Sequence, residues 1–250
     1  LNSPAPAWLT ARPIAHRGLH DASRGRIENT LGAARAAVDA GFAIECDVRL
    51  SADGEAVVFH DAMLERLTFG SGPLAARTAA ELRELRFRAG SERIPTLPEL
   101  LGTLSGGAPL ICEIKSGFDG DTRLADRVAG IAARYAGPLA LKSFDPEVIA
   151  HLRARGIASP LGIVAEASYE GLDWRDLSPE QKRDCAAFLH YPRTRPDFLS
   201  WHVDDLPHPT PALLRALTSM PVLAWTARTP EHKRLARLWA DQIVFEGSLA

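Results

Sequence analysis

A chain of 250 residues is long enough to bury a large core, as one large domain or two small ones. Its 46% apolar and 24% charged residues fit a folded globular protein, and a formal net charge of −2 leaves no basic excess for nucleic acid or an anionic membrane. The three cysteines, Cys46, Cys112 and Cys185, are odd in number and widely spaced, which excludes a disulfide framework and a zinc-type spacing.

The opening stretch, LNSPAPAWLTARP, has no basic segment followed by an apolar run, so no secretory signal is expected. No apolar stretch approaches the length of a membrane span. Stable membrane insertion is therefore not expected, and a cytoplasmic location is. A short apolar run at Ile14–His16 opens the pattern. A helix follows over Asn29–Ala40, with Asn29 or Thr30 as its N-cap and Gly41 as its stop. Ala43–Val48 is the second run. Ala56–Phe59 follows so closely, across the turn signal SADG, that it reads as an antiparallel return to the second strand. Helices are expected over Glu81–Arg88 and Leu97–Leu104, the latter capped by Thr96 with Pro98 in its first turn.

Strands and helices then alternate to the end. The strands are Leu110–Ile114, Leu139–Ser143, Leu161–Val164, Phe198–His202, Val222–Trp225 and Ile243–Phe245. The helices are Thr122–Tyr135, Pro146–Arg155, Pro179–Ala187, Pro211–Thr218 and Glu231–Trp239. Glu166–Leu177 is a long loop holding Tyr169 and Trp174. With the excursion set aside there are eight strands separated by helices. Strands that are apolar almost throughout suit a parallel sheet covered on both faces. The expected fold is α/β: a single (β/α)8 TIM barrel over residues 1–250, with a small antiparallel excursion after strand 2. A doubly wound open sheet is the alternative; the strand count and the lack of a glycine-rich fingerprint after the first strand disfavour it.

The chemistry-bearing residues fall at the C-terminal ends of strands, the rim where barrels build active sites. Glu45 and Asp47 stand two apart in a strand and share one face. Burying two such charges is costly unless a cation lies between them. With Glu113 they offer oxygen ligands only, which selects a hard cation, Mg2+ or Ca2+. An ion pair of Glu45 with Arg49 or Lys115 is the competing reading. His16 and His60 approach from separate elements and suit an acid/base pair for displacement at phosphorus. Arg17 and Lys115 supply positive charge for a phosphate.

The set His16-Arg17-Gly18, Glu28-Asn29-Thr30, Glu45-x-Asp47, His60-Asp61 and Glu113-Ile114-Lys115 resembles the glycerophosphodiester phosphodiesterases, within the superfamily of phospholipase C-like phosphodiesterases. Smaller matches are Leu64-Glu65-Arg66-Leu67-Thr68, Ile94-Pro95-Thr96-Leu97, Ser143-Phe144 and Trp225-Thr226. The likeness runs from about Ile14 to Phe245. It implies a TIM-barrel phosphodiesterase that hydrolyses a small glycerophosphodiester to glycerol 3-phosphate and an alcohol with one divalent cation. It implies Glu45, Asp47 and Glu113 as metal ligands, and His16 and His60 as general acid and base. Arg17, Lys115, Asn29 and Trp225 would bind the substrate or its phosphate, Asn29 by ordering the site. Three departures stand out. Glu246 follows the last strand where the family often has an Asp-containing motif, Arg228 follows Trp-Thr-Ala, and Lys142 replaces an often uncharged residue. They are expected to spare the metal and acid/base set and to bear on the alcohol. A lysophospholipase D activity and a catalytically inactive phosphate-binding barrel are the other readings. The rim loops carry no long apolar insertion for the first, and the retained carboxylates and histidines argue against the second.

Overall fold

The computed structural model describes residues 5–248, so Leu1–Pro4 of the opening stretch lie outside the described residues. Eight parallel strands close into a barrel: β1 (Ile14–Ala15), β2 (Ala43–Leu50), β4 (Leu110–Ile114), β5 (Leu139–Ser143), β6 (Leu161–Ala165), β7 (Phe198–His202), β8 (Val222–Ala227) and β9 (Gln242–Phe245). β1 closes the ring by pairing with both β2 and β9, Ile14 opposite Ala43 on one side and Val244 on the other. The expected excursion is β3 (Ala56–Val58), antiparallel to β2 with Val48 opposite Val58. Its position follows from strand lengths. β1 has two residues and β2 has eight, so the far half of β2 would present an open edge; β3 covers it.

β1 is short because the chain turns sharply after it. Arg17 and Gly18 both have positive φ, 56° and 79°. A Cβ on Gly18 would lie 2.8 Å from the backbone carbon of Ala33, so only glycine fits this turn. The turn leads to α1 (Leu31–Asp39), whose N-cap is Thr30, accepting from the Ala33 amide.

Side chains alternate between the barrel lumen and the helix-covered outside. The lower lumen is apolar: Ile14, Ala43, Ile111, Ala140, Phe198, Leu223 and Val244, plugged from the N-terminal end by Leu9. Gly162 makes room for the Phe198 ring, which a Cβ there would approach to 2.3 Å. The layer above it is polar, with Glu45, Lys142 and Ser200 almost fully buried. Cys46 and Cys112 face the outer core beneath the helices as free thiols, so Cys46 is a packing residue between Glu45 and Asp47.

The outer layer is α1, α2 (Ala79–Glu84), α3 (Leu97–Leu104), α4 (Arg123–Ala132), α5 (Pro146–Ala154), α6 (Pro179–Ala186), α7 (Tyr191–Thr194), α8 (Pro209–Thr218) and α9 (Pro230–Trp239). The helix expected over 81–88 starts and stops earlier. A reciprocal capping box between Thr78 and Glu81 starts it, and tertiary pairing ends it: Phe69 donates to the Arg86 carbonyl and Arg88 to that of Leu67. This draws Phe87 into a small core of the excursion with Val57, Phe59, Leu64 and Leu82. Among the described residues no helix is long and apolar enough to cross a membrane.

Candidate active site

Glu45, Asp47 and Glu113 converge at the C-terminal mouth of the barrel, each with a ligand oxygen within 4.8 Å of the others. The register explains the trio. Asp47 lies opposite Glu113 across β2 and β4, and Glu45 is one lumen position below Asp47. All three are buried. An oxygen-only donor set of this compactness fits a hard divalent cation.

Two lysines share these carboxylates. Lys115 Nζ lies 2.8 Å from Asp47 Oδ1 and also pairs with Glu113. Lys142, opposite Glu113 on β5, puts its Nζ 3.0 Å from Glu45 Oε1 and 3.4 Å from Glu113 Oε2. Burial alone would lower the Lys142 pKa, but the neighbouring Glu45 and Glu113 charges outweigh it and hold the ammonium protonated. Burial likewise acts to raise Asp47, and the charges of Lys115, His60 and Arg17 hold it well below the usual carboxylate range. Glu45 thus pairs with Lys142, not with Arg49 or Lys115.

Each histidine is oriented by a carboxylate. His16 Nδ1 is 2.5 Å from Glu246 Oε1, and His60 Nδ1 is 2.7 Å from Asp61 Oδ1. A neutral imidazole that donates from Nδ1 presents an unprotonated Nε2, the form a general base needs. The His16 Nε2 atom lies 3.8 Å from Glu45 Oε2.

The short motifs turn out to be one connected ion-pair chain. Arg66 joins Asp61 to Glu28, Glu28 accepts from Arg17 at 2.7 Å, and the Arg17 Nε lies 3.2 Å from Asp47. The Arg17 amide also donates to Glu45 at 3.2 Å. Asn29 lies beside Asp47. Its side chain donates to Asp47 Oδ2 and accepts from the Asp47 backbone amide, so both polar ends are held by that one residue. It is 3% exposed.

A cavity of about 420 Å3 opens at the barrel mouth, lined among others by His60, Glu113, Lys115 and Trp225. His16, Arg17, Glu45 and Asp47 do not line this cavity and connect to its Glu113 and Lys115 through the contacts above. Trp225 presents its ring, its N–H donating to the Ser200 carbonyl at 3.0 Å. Trp174 and His202 also line the cavity, whereas Tyr169 is 2% exposed and packs behind Trp174.

Sequence reasoning missed Arg49 as a site residue. It lines the cavity and donates from Nε to the His60 carbonyl at 2.6 Å. The signal was present, since positions 45, 47 and 49 share one strand face. The three departures all touch residues expected to bind metal or move protons: Lys142 meets two of the proposed ligands, Glu246 holds His16, and Arg228 holds Glu246 at 2.7 Å.

The sequence matches the Glycerophosphoryl diester phosphodiesterase family over residues 16–246. The chain belongs to that family. Among solved structures similar to this family member is an Oleispira antarctica phosphodiesterase described in complex with the product sn-glycerol-3-phosphate. It shares 25% identity, covers 93% of this chain and 91% of that one, and gives a TM-score of 0.75. A Thermotoga maritima glycerophosphodiester phosphodiesterase shares 27% identity, with 93% and 92% covered and a TM-score of 0.70. A curated relative, glycerophosphodiester phosphodiesterase 1 of Bos taurus, is 34% identical over 151 residues, 56% of this chain and 44% of its own length. The matched stretches span less than half the length of the first curated relatives.

Proposed function

We propose that the whole chain acts as one metal-dependent phosphodiesterase domain, hydrolysing small glycerophosphodiesters to glycerol 3-phosphate and an alcohol. One observation carries this reading: two histidines, each held through Nδ1 by its own carboxylate, flank a buried trio of carboxylates. That arrangement suits transfer of two protons at one phosphorus centre. The sn-glycerol-3-phosphate bound to the Oleispira antarctica relative supports the same product here.

Glu45, Asp47 and Glu113 would hold the cation, Mg2+ or Ca2+. When bound, it stabilises the negative charge that builds on the phosphate oxygens. Lys115, Arg17 and Arg49 add fixed positive charge toward the same group. One of His16 and His60 takes a proton from the attacking oxygen, which belongs to water or to a neighbouring hydroxyl of the substrate. The bond from phosphorus to the alcohol oxygen breaks, and the other histidine protonates that oxygen. In the second case a cyclic phosphate forms first and water then opens it. Asn29 and Arg17 keep Asp47 in place, and Glu246 and Asp61 keep Nε2 of each histidine available.

The test is release of glycerol 3-phosphate from a panel of glycerophosphodiesters with Mg2+ and Ca2+ compared. His16→Ala and Glu45→Ala should remain folded and lose at least about 100-fold in turnover. A chelator should abolish activity; turnover that survives chelation removes the metal from the scheme. A lysophospholipid in the same panel reads the lysophospholipase D alternative directly.

A further inference from the structure

The cavity at the barrel mouth is polarised. On the side of β2, β3 and β4 stand Arg49, His60 and Lys115, all cationic or capable of it, with Glu113 beside Lys115. Toward β5, β6 and β8 a continuous aromatic wall is built from Phe118, Trp174, Phe144 and Trp225, with the His202 ring against Trp225 at 4.8 Å. Phe118 meets Trp174 at 6.1 Å, Trp174 meets Phe144 at 4.9 Å, and Phe144 meets Trp225 at 5.4 Å, ring centre to ring centre. Tyr169 backs Trp174 at 4.9 Å and fixes its ring.

Two carboxylates, Glu166 and Asp173, complete the aromatic side. Glu166 accepts from the indole N–H of Trp174, and both residues line the cavity. No lysine or arginine among the described residues pairs with either carboxylate. Glu28, Asp61 and Glu246, by contrast, are each paired with an arginine. Burial, together with the nearby charges of Asp205 and Asp173, pushes the Glu166 carboxyl up, as expected of an acid that lacks a cationic neighbour. The phosphate-facing half and this half lie in one cavity, so a ligand filling it would carry an anion at one end and a cation at the other. Aromatic faces with flanking carboxylates are the chemistry that recognises alkylammonium groups.

Resting on the phosphodiesterase reading above, we infer that the alcohol of the preferred substrate carries an ammonium group, which the Phe144–Trp174–Trp225 wall and Glu166 bind while the phosphate lies against Lys115 and Arg49. Trp174 and Glu166 are then specificity-determining residues.

Steady-state kinetics of the full chain on glycerophosphocholine, glycerophosphoethanolamine and glycerophosphoglycerol test this. The wild type should favour the two ammonium substrates over glycerophosphoglycerol by about tenfold in kcat/KM, mainly through KM. Trp174→Ala should collapse that ratio to about one, Trp174→Phe should retain it, and Glu166→Gln should reduce it. The choline and ethanolamine arms separate recognition by the rings from recognition by the carboxylate. Equal use of the uncharged substrate by the wild type overturns the inference. So does an equal loss on all three substrates in Trp174→Ala, which would make Trp174 rim packing only. If no glycerophosphodiester is cleaved, the phosphodiesterase reading falls, and calorimetric titration with phosphocholine decides the subsite alone. Binding that Trp174→Ala abolishes upholds it, and absence of binding in the wild type removes it.

Discussion

Lys142 carries its ammonium into the barrel lumen with 2% exposure, between Glu45 and Glu113. It is a built-in countercharge for two of the three proposed ligands. Lys142→Met should therefore move two quantities in opposite directions. In chelator, Glu45 loses its ammonium partner and Glu113 keeps only Lys115, and stability should fall by about 3 kcal/mol. With the charge gone, a divalent cation should bind at least about tenfold more tightly by calorimetry. Unchanged cation affinity would show that Lys142 only packs the lumen. Glu246 poses a second residue-scale question, because it follows the last strand and yet reaches back to the first. Glu246→Gln keeps the shape of the His16 contact but removes the negative charge that favours the N–H on Nδ1. Turnover should fall on the order of 100-fold with KM little changed, read from a full substrate curve.

At the scale of elements, the segment before α7 contains a group that couples folding to acid. His190 is 1% exposed, bonded to Thr194 Oγ1 at 3.2 Å and set against the Phe188 ring. Burial pushes its pKa from 6.5 down to about 4, the Asp184 charge opposing this only in part. The sign follows from proton counting. Between these two values the unfolded chain binds the proton and the folded chain does not, so stability is lost as pH falls from about 6.5 to about 4. The loss from this residue alone should approach about 3 kcal/mol, and denaturant melts of His190→Phe should be flatter over that window. Parallel melts for the two proteins would contradict this. The site histidines sit differently. Each is anchored to an acid at the end of an element, His16 after β1 and His60 in the return from β3.

For the whole molecule, closure of the barrel is what makes the carboxylates a unit. Glu45 and Asp47 come from β2, Glu113 from β4, Lys142 from β5, and Glu246 follows β9 beside β1. A ligand that binds only this assembled set must stabilise the fold by mass action. Thermal melts should rise with added Mg2+ or Ca2+, by about 2.7 kcal/mol at 100 times the dissociation constant. Glu113→Gln should weaken the shift, and His60→Ala should preserve it. A shift that survives in Glu113→Gln would place the cation elsewhere.

Much of this was legible in the chain. The barrel, the return of β3 and the bounds of β4, β5, β7 and α3 follow from apolar runs broken by caps and turns, because each is set by local periodicity. The carboxylates that meet at the rim and both rim histidines were singled out by spacing and family likeness. Partners were not legible. Nothing in the local sequence around Lys142, Arg228 or Glu246 tells which carboxylate or imidazole each will meet, because the contact forms across strands that closure brings together. Asn29 shows the same limit: its type and place were readable, but only the fold decided that Asp47 would hold both ends of its amide. The sequence by itself determined which chemical groups stand at the rim, since strand alternation is local. The tertiary structure decided which of them neutralise, orient or leave one another free, since electrostatic partnership depends on distances set between strands far apart in the chain.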